Sequence, residues 1–117
     1  MSKDIFNTKD VLNRNVRLTS TQLQTHIIGR SGHIEMALDL PSIGKTVEDT
    51  DYIYNSKSNN KRDLYFKFGS HNIIKNKYVK VIVAHTIPSM GDVITAYITS
   101  SVSGDLGRLI YEKSTSV

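Results

Sequence analysis

Hydrophobic periodicity changes once along this chain, at Asp51, and that change limits the folds open to it. Before Asp51 the apolar residues recur at helical spacing; after it they alternate. Helical pieces followed by a run of strands predict an α+β architecture, N-terminal helices packed on a curved antiparallel sheet of four or five strands. A chain of 117 residues suits one domain. The domain is expected over residues 16–117, and the polar residues 1–15 read as an N-terminal arm or a short helix.

The best helix start lies at Thr19. Its hydroxyl suits an N-cap, and Gln22, three residues on, is placed to reach back as in a capping box. Leu23 and Ile27, four apart, then face the core. Gly29 and Gly32 each weaken a helix by roughly 1 kcal/mol relative to alanine, so a break is expected near 29–33. A second helix is expected where Leu40, Ile43 and Val47 recur, with Pro41 in its first turn. The acidic run 48–51 opposes the helix dipole and should end it.

The alternating half divides into short strands. Residues 52–54 form one. In 63–68, Leu64, Phe66 and Phe68 share a face, with Tyr65 and Lys67 on the other. The run 78–85 is rich in β-branched residues, with Val79, Val81 and Val83 on one face, and suits a central strand. In 93–99, Thr95, Tyr97 and Thr99 share a face opposite Ile94, Ala96 and Ile98. Residues 108–111 suit an edge strand.

Composition narrows the chemistry. Lys and Arg number 15 against 11 Asp and Glu, a net charge of +4 that favours polyanions, nucleic acid first. Cysteine is absent, which excludes disulfides, thiol catalysis and thiolate metal sites. No apolar run reaches the length of a membrane span, so no membrane partner is expected and a cytoplasmic location is. There is no glycine-rich phosphate loop and no histidine or carboxylate spacing that suits a metal, so neither metal nor other cofactor is expected.

Two constellations could carry chemistry. His26, Arg30 and His33 sit at i, i+4 and i+7 and share a face on a regular helix. Imidazole moves protons near neutral pH, and guanidinium grips phosphate through two donors. That is a kit for cleaving RNA without a metal: a base deprotonates the 2′-hydroxyl, an acid protonates the leaving oxygen, and cations stabilise the phosphorane. The plainer reading is a solvated basic face. The second constellation is the row Thr95, Tyr97, Thr99, whose hydroxyls can donate to phosphate and whose ring can stack on a base. Its plainer reading is the wet side of a sheet. Tyr65, Arg62 and His71 could add contacts to substrate, while His85 reads as a strand cap.

In their order along the chain these residues resemble a nuclease family. Leu18-Thr19, His26-Ile27, Arg30 and His33 resemble the opening helix of phage-associated domains of the barnase–EndoU–colicin–RelE (BECR) group. Residues 47–54 resemble that group's turn into the first strand, 64–67 its Leu-Tyr-Tyr-Lys strand, and 93–99 its Ile-Thr-Ala-Tyr-x-Thr strand. The paired Arg-His of the group is interrupted here by Ser31-Gly32, and its turn proline is Thr50. The resemblance implies a metal-independent endoribonuclease, toxin-like and phage- or mobile-element-borne, in a producing or target bacterial cell. RNA would be its substrate, with an immunity or antitoxin protein as a further partner. It carries over His26, Arg30, Lys67, Thr95, Tyr97 and Thr99 as catalytic residues, with His33, Tyr65, His71 and Arg62 contacting substrate. The alternative is a non-catalytic domain on the same scaffold that binds RNA or inhibits a protein.

Overall fold

The computed structural model describes residues 3–30 and 32–113; the side chain of Arg30 lies outside what is described. Among the described residues, seven strands form one sheet: β1 (Asp4–Lys9), β2 (Asn15–Thr19), β3 (Tyr52–Ser56), β4 (Arg62–Phe68), β5 (Tyr78–Ile87), β6 (Met90–Thr99) and β7 (Leu106–Glu112). Their spatial order is β1-β2-β6-β5-β4-β3-β7. Neighbours run antiparallel except β2 and β6, which are parallel over Asn15–Met90, Val16–Gly91 and Arg17–Asp92.

The expected architecture of helices packed on four or five antiparallel strands is therefore overturned. The sheet is larger and mixed, and among the described residues only two short α-helices occur, α1 (Ser20–Gln22) and α2 (Pro41–Glu48). The difference begins at the N-terminus. Residues expected as an arm or a short helix form β1, paired with β2 in the register Phe6–Leu18 and Thr8–Val16. Asn13 takes φ 64° in the turn between them, a left-handed conformation that asparagine tolerates. Val16 and Leu18 are fully buried, which commits β2 to the core and carries β1 along as an edge strand.

Between β2 and β3 the chain lays a thin helical layer on one face, here the inner face. Thr19 caps α1 as expected, its Oγ1 accepting from the Gln22 amide at 3.2 Å. The chain then widens into a π-helix (Leu23–Arg30), followed by a 3₁₀ turn (Ile34–Leu38) and α2. Pro41 opens α2 and Ile43 and Val47 bury its apolar side. Leu23, Ile27, Met36, Ile43 and Val47 meet Val16, Leu18, Ile53, Tyr65, Val79, Val81, Val83, Val93 and Ala96 in one core. Each fully buried aliphatic side chain contributes about 1.5–3 kcal/mol.

Gln22 does not close the capping box. Its Nε2 donates to the Ile94 carbonyl at 2.7 Å, while Glu35 accepts from the Ile98 amide at 3.4 Å. Both contacts fall on the stretch of β6 beyond its pairing with β2, where side chains cover an edge that no strand extends.

The outer face is built by register. Directly paired residues share a face, so Tyr52, Phe66, Lys80 and Tyr97 form one row across β3, β4, β5 and β6. Phe68, Tyr78 and Thr99 form a second row, and Tyr54, Leu64, Ile82 and Thr95 a third. A bulge between Ile82 and Val83 shifts β6 by one residue below this point, returning Val93 to the core. Residues 100–105 cross this face from the end of β6 to the start of β7. They touch Lys80 on the way, and Asp105 bonds Ser56 at the far side.

Candidate functional site

The register separates the residues that sequence reasoning grouped together. Lys67 pairs with Val79 and lies on the inner side of β4, whereas Thr95, Tyr97 and Thr99 lie on the outer face. Lys67 Nζ is engaged at 3.1 Å from Asp49 and 4.0 Å from Asp51. Lys113 reaches Asp49 at 3.0 Å, and the two ammonium groups, Lys113 first, hold that carboxyl below its ordinary value. Lys67 therefore fastens the end of α2 to β4 and does not join the strand hydroxyls. Tyr65 is likewise an inner-face residue, buried in the core.

His71 is fully buried in the β4–β5 connection. Its Nδ1 accepts from the Ile73 and Ile74 amides at 3.2 and 3.1 Å, so Nε2 carries the proton and donates to the Glu35 carbonyl at 3.0 Å. That pattern pins a loop to the helical layer and leaves no nitrogen for substrate. His26 is half-buried on the π-helix. Bonding of i to i+5 widens each turn, so residues 26, 30 and 33 lose the common face that α-helical spacing would give them. No hydrogen bond joins His26 to the strand hydroxyls: Thr99 Oγ1 donates to the Ser101 carbonyl, and buried Thr95 Oγ1 has no partner among the described residues.

What the fold does bring together is His33 with Tyr97. Gly32, at φ +67°, turns the chain after the π-helix and delivers His33 to the outer face at the rim of β6. The imidazole stacks on the Tyr97 ring, centroids 4.8 Å apart and planes 25° from parallel. Glu35 Oε2 lies 3.9 Å from His33 Nδ1 while the same oxygen receives the Ile98 amide. Thr95 and Thr99 flank Tyr97 on the strand. Arg62 is exposed at the start of β4 and also belongs to the outer face, two strands away or about 10 Å laterally.

Sequence reasoning missed Lys80. It stands directly across from Tyr97, 3 % exposed, its ammonium 5.4 Å from the Tyr97 ring centre and 5.3 Å from that of Phe66. The signal was present as the one charge inside the apolar run Val79–Val83.

It also missed a polar network at the opposite end of the inner face. Arg14, from the β1–β2 turn, donates to Asp10 at 2.9 Å, Asp63 at 2.8 Å and the Tyr65 hydroxyl at 3.0 Å. Tyr65 donates to Asp10 at 2.5 Å and lies 3.2 Å from His85 Nε2. Burial, above all, pushes the Tyr65 phenol far up from its ordinary value. Burial and the Arg14 charge push His85 down from its ordinary value, and its Nδ1 finds no hydrogen-bond partner among the described residues. A cleft of about 470 Å³ opens beside this network, lined among others by Asn55, Asn60, Lys61 and Thr86. Because each of the three Arg14 side-chain nitrogens bonds within the network, these groups hold the hairpin to the sheet.

No group of three or more His, Asp or Glu that could hold a metal occurs among the described residues, and none of their helices is long and apolar enough to cross a membrane. Comparison with family models, with curated proteins and with solved structures returned no match.

Proposed function

We propose that this protein is a metal-independent ribonuclease whose site lies on the outer face at the rim of β6. The observation that carries the reading is the His33 imidazole stacked on Tyr97 beside a strand hydroxyl, Thr95, that has no partner among the described residues. The ordered likeness to BECR nucleases and the net charge of +4 support it. His33, rather than His26, is then the proton-transfer group. Neutral His33 takes the 2′-hydroxyl proton, the 2′-oxygen attacks phosphorus, and the bond to the 5′-oxygen breaks. Tyr97 gives the leaving oxygen its proton, and the products are a 2′,3′-cyclic phosphate and a free 5′-hydroxyl. Thr95 donates to the phosphate, Thr99 does so by exchanging the Ser101 carbonyl for it, and Arg62 tracks the backbone.

The test is cleavage of end-labelled RNA in the presence of a chelator, with product ends identified. His33→Ala and Tyr97→Phe should each slow cleavage by about 10²-fold or more. Lys9→Ala, on the far edge strand, should leave it unchanged. Wild-type protein that binds RNA without cutting it would replace this reading with the non-catalytic RNA-binding one. Cleavage that survives His33→Ala would move the site elsewhere.

A further inference from the structure

The outer face holds a buried cation that bonds no carboxylate among the described residues; Asp105 meets it through charge alone, beyond ion-pair distance. Among the described residues, none of the ion pairs includes Lys80, although it is almost completely buried. Its ammonium donates to two neutral acceptors, the carbonyls of Ser103 at 2.9 Å and Gly104 at 3.1 Å. It also lies over the faces of Phe66 and Tyr97. An ammonium out of water gains most from an acceptor of opposite charge, because Coulomb attraction strengthens as the local dielectric falls. Both of its acceptors belong to one short segment, 100–105, of sequence Ser-Ser-Val-Ser-Gly-Asp.

That segment is built as a cover. Apart from Lys80 it is held at its near end by Thr99 Oγ1, which donates to the Ser101 carbonyl at 3.2 Å. At its far end it is held by Asp105, whose carbonyl accepts from the Lys57 amide at 2.9 Å. The Asp105 carboxylate accepts from Ser56 and from the Ser58 amide and hydroxyl, the last two at 2.9 and 2.8 Å. Gly104 and Asp105 both take positive φ, 85° and 61°. A Cβ on Gly104 would stand 3.0 Å from the Lys80 nitrogen, so glycine is what lets the backbone settle onto the ammonium. A segment with few apolar contacts and exposed hydrogen bonds opens at low free-energy cost.

We propose that Lys80 is a phosphate-binding site of the outer face, and that segment 100–105 is its displaceable cover. A phosphodiester oxygen replaces the Ser103 and Gly104 carbonyls on the ammonium, beside the Tyr97 ring. The assignment of the phosphate to RNA rests on the ribonuclease reading; the anion site itself does not.

The test separates the two. Inorganic phosphate, without RNA, is titrated into ¹⁵N-labelled full-length protein while the Gly104 amide shift and its hydrogen exchange are followed. Saturable movement of Gly104 with faster exchange across 100–105 is expected. Lys80→Met, which keeps the side chain's bulk, should abolish the response. Asp105→Ala, which frees the cover, should tighten phosphate binding several-fold, since less of the protein starts in the closed form. An unresponsive Gly104, or the same response in Lys80→Met, overturns the proposal. If phosphate acts through Lys80 but wild-type protein cuts no RNA, the site stands and the ribonuclease reading falls. If His33 proves essential for cleavage while Lys80→Met cleaves like wild type with an unchanged salt slope, the ribonuclease stands and Lys80 does not belong to it.

Discussion

Arg14 shows how one side chain can decide whether an element belongs to the fold. Its guanidinium bridges Asp10 on its own turn to Asp63 and Tyr65 on β4, so the β1–β2 hairpin is tied to the sheet through one planar fork. Asp10 and Asp63 are almost fully shielded from solvent. Removing the cation would leave two buried carboxylates on either side of Tyr65 without the guanidinium charge that bridges them. Arg14→Ala should therefore cost about 3–5 kcal/mol in urea unfolding. Arg14→Lys should recover only part of that, since a point charge cannot reach three acceptors in the geometry of the fork. Equal stability of the alanine variant and wild type would show that water enters the network and compensates. None of this was legible in sequence. Arg14 and its three partners come from two separate stretches of chain, 10–14 and 63–65, and nothing in either stretch points to the other until the strands are paired.

At the scale of elements, alternation was read correctly in β4, in β5 and over residues 95–99 of β6, but not at the β6 bulge that returns Val93 to the core, nor was the relation between strands. Tyr65 and Lys67 do share a face, and so do Thr95, Tyr97 and Thr99. Whether those two faces coincide depends on register, and register is set by long-range pairing that local alternation does not reveal. The helical reading failed for a different reason. The N-cap at Thr19 and the buried pair Leu23 and Ile27 are as expected, but a π-helix replaces the regular turns that would have aligned His26, Arg30 and His33. Gly29 permits that replacement: a Cβ there would lie 2.6 Å from the Gln24 carbonyl oxygen, five residues back. Gly29→Ala would ordinarily gain about 0.4–1 kcal/mol by restricting the unfolded chain. Here the clash should dominate, at about 1–3 kcal/mol of lost stability. As the turn tightens, His33 should leave the Tyr97 ring. Thermal unfolding together with ring-proton contacts between His33 and Tyr97 checks both parts; a stabilised variant with the stack intact would show that the wide turn is not held by Gly29.

For the whole molecule, the composition foretold a single core and a basic surface, while the sheet that organises them closes through contacts between distant segments. The hairpin β1–β2 enters it by parallel pairing with β6 and by the network around His85. That second attachment makes stability depend on pH with a definite sign. Burial and Arg14 hold His85 below its ordinary value of 6.5, with Asp63 and Asp10 opposing the shift. The unfolded chain then binds the proton more readily than the folded one, so the contribution of neutral His85 is fully present above pH 6.5 and is lost as pH falls below it. Asp49 and Asp105 are shifted below 3.8 by their partners, chiefly Lys113 and Ser56. Their contribution is present above that value and disappears only in stronger acid. Urea midpoints should accordingly fall in two separate stages, one beginning near pH 6.5 and one below about pH 4. His85→Gln should be less stable than wild type at pH 7 and should flatten the first stage while leaving the second. A variant curve parallel to wild type between pH 7 and pH 5 would mean that His85 titrates alike in the folded and unfolded chains, and that the hairpin is held without it.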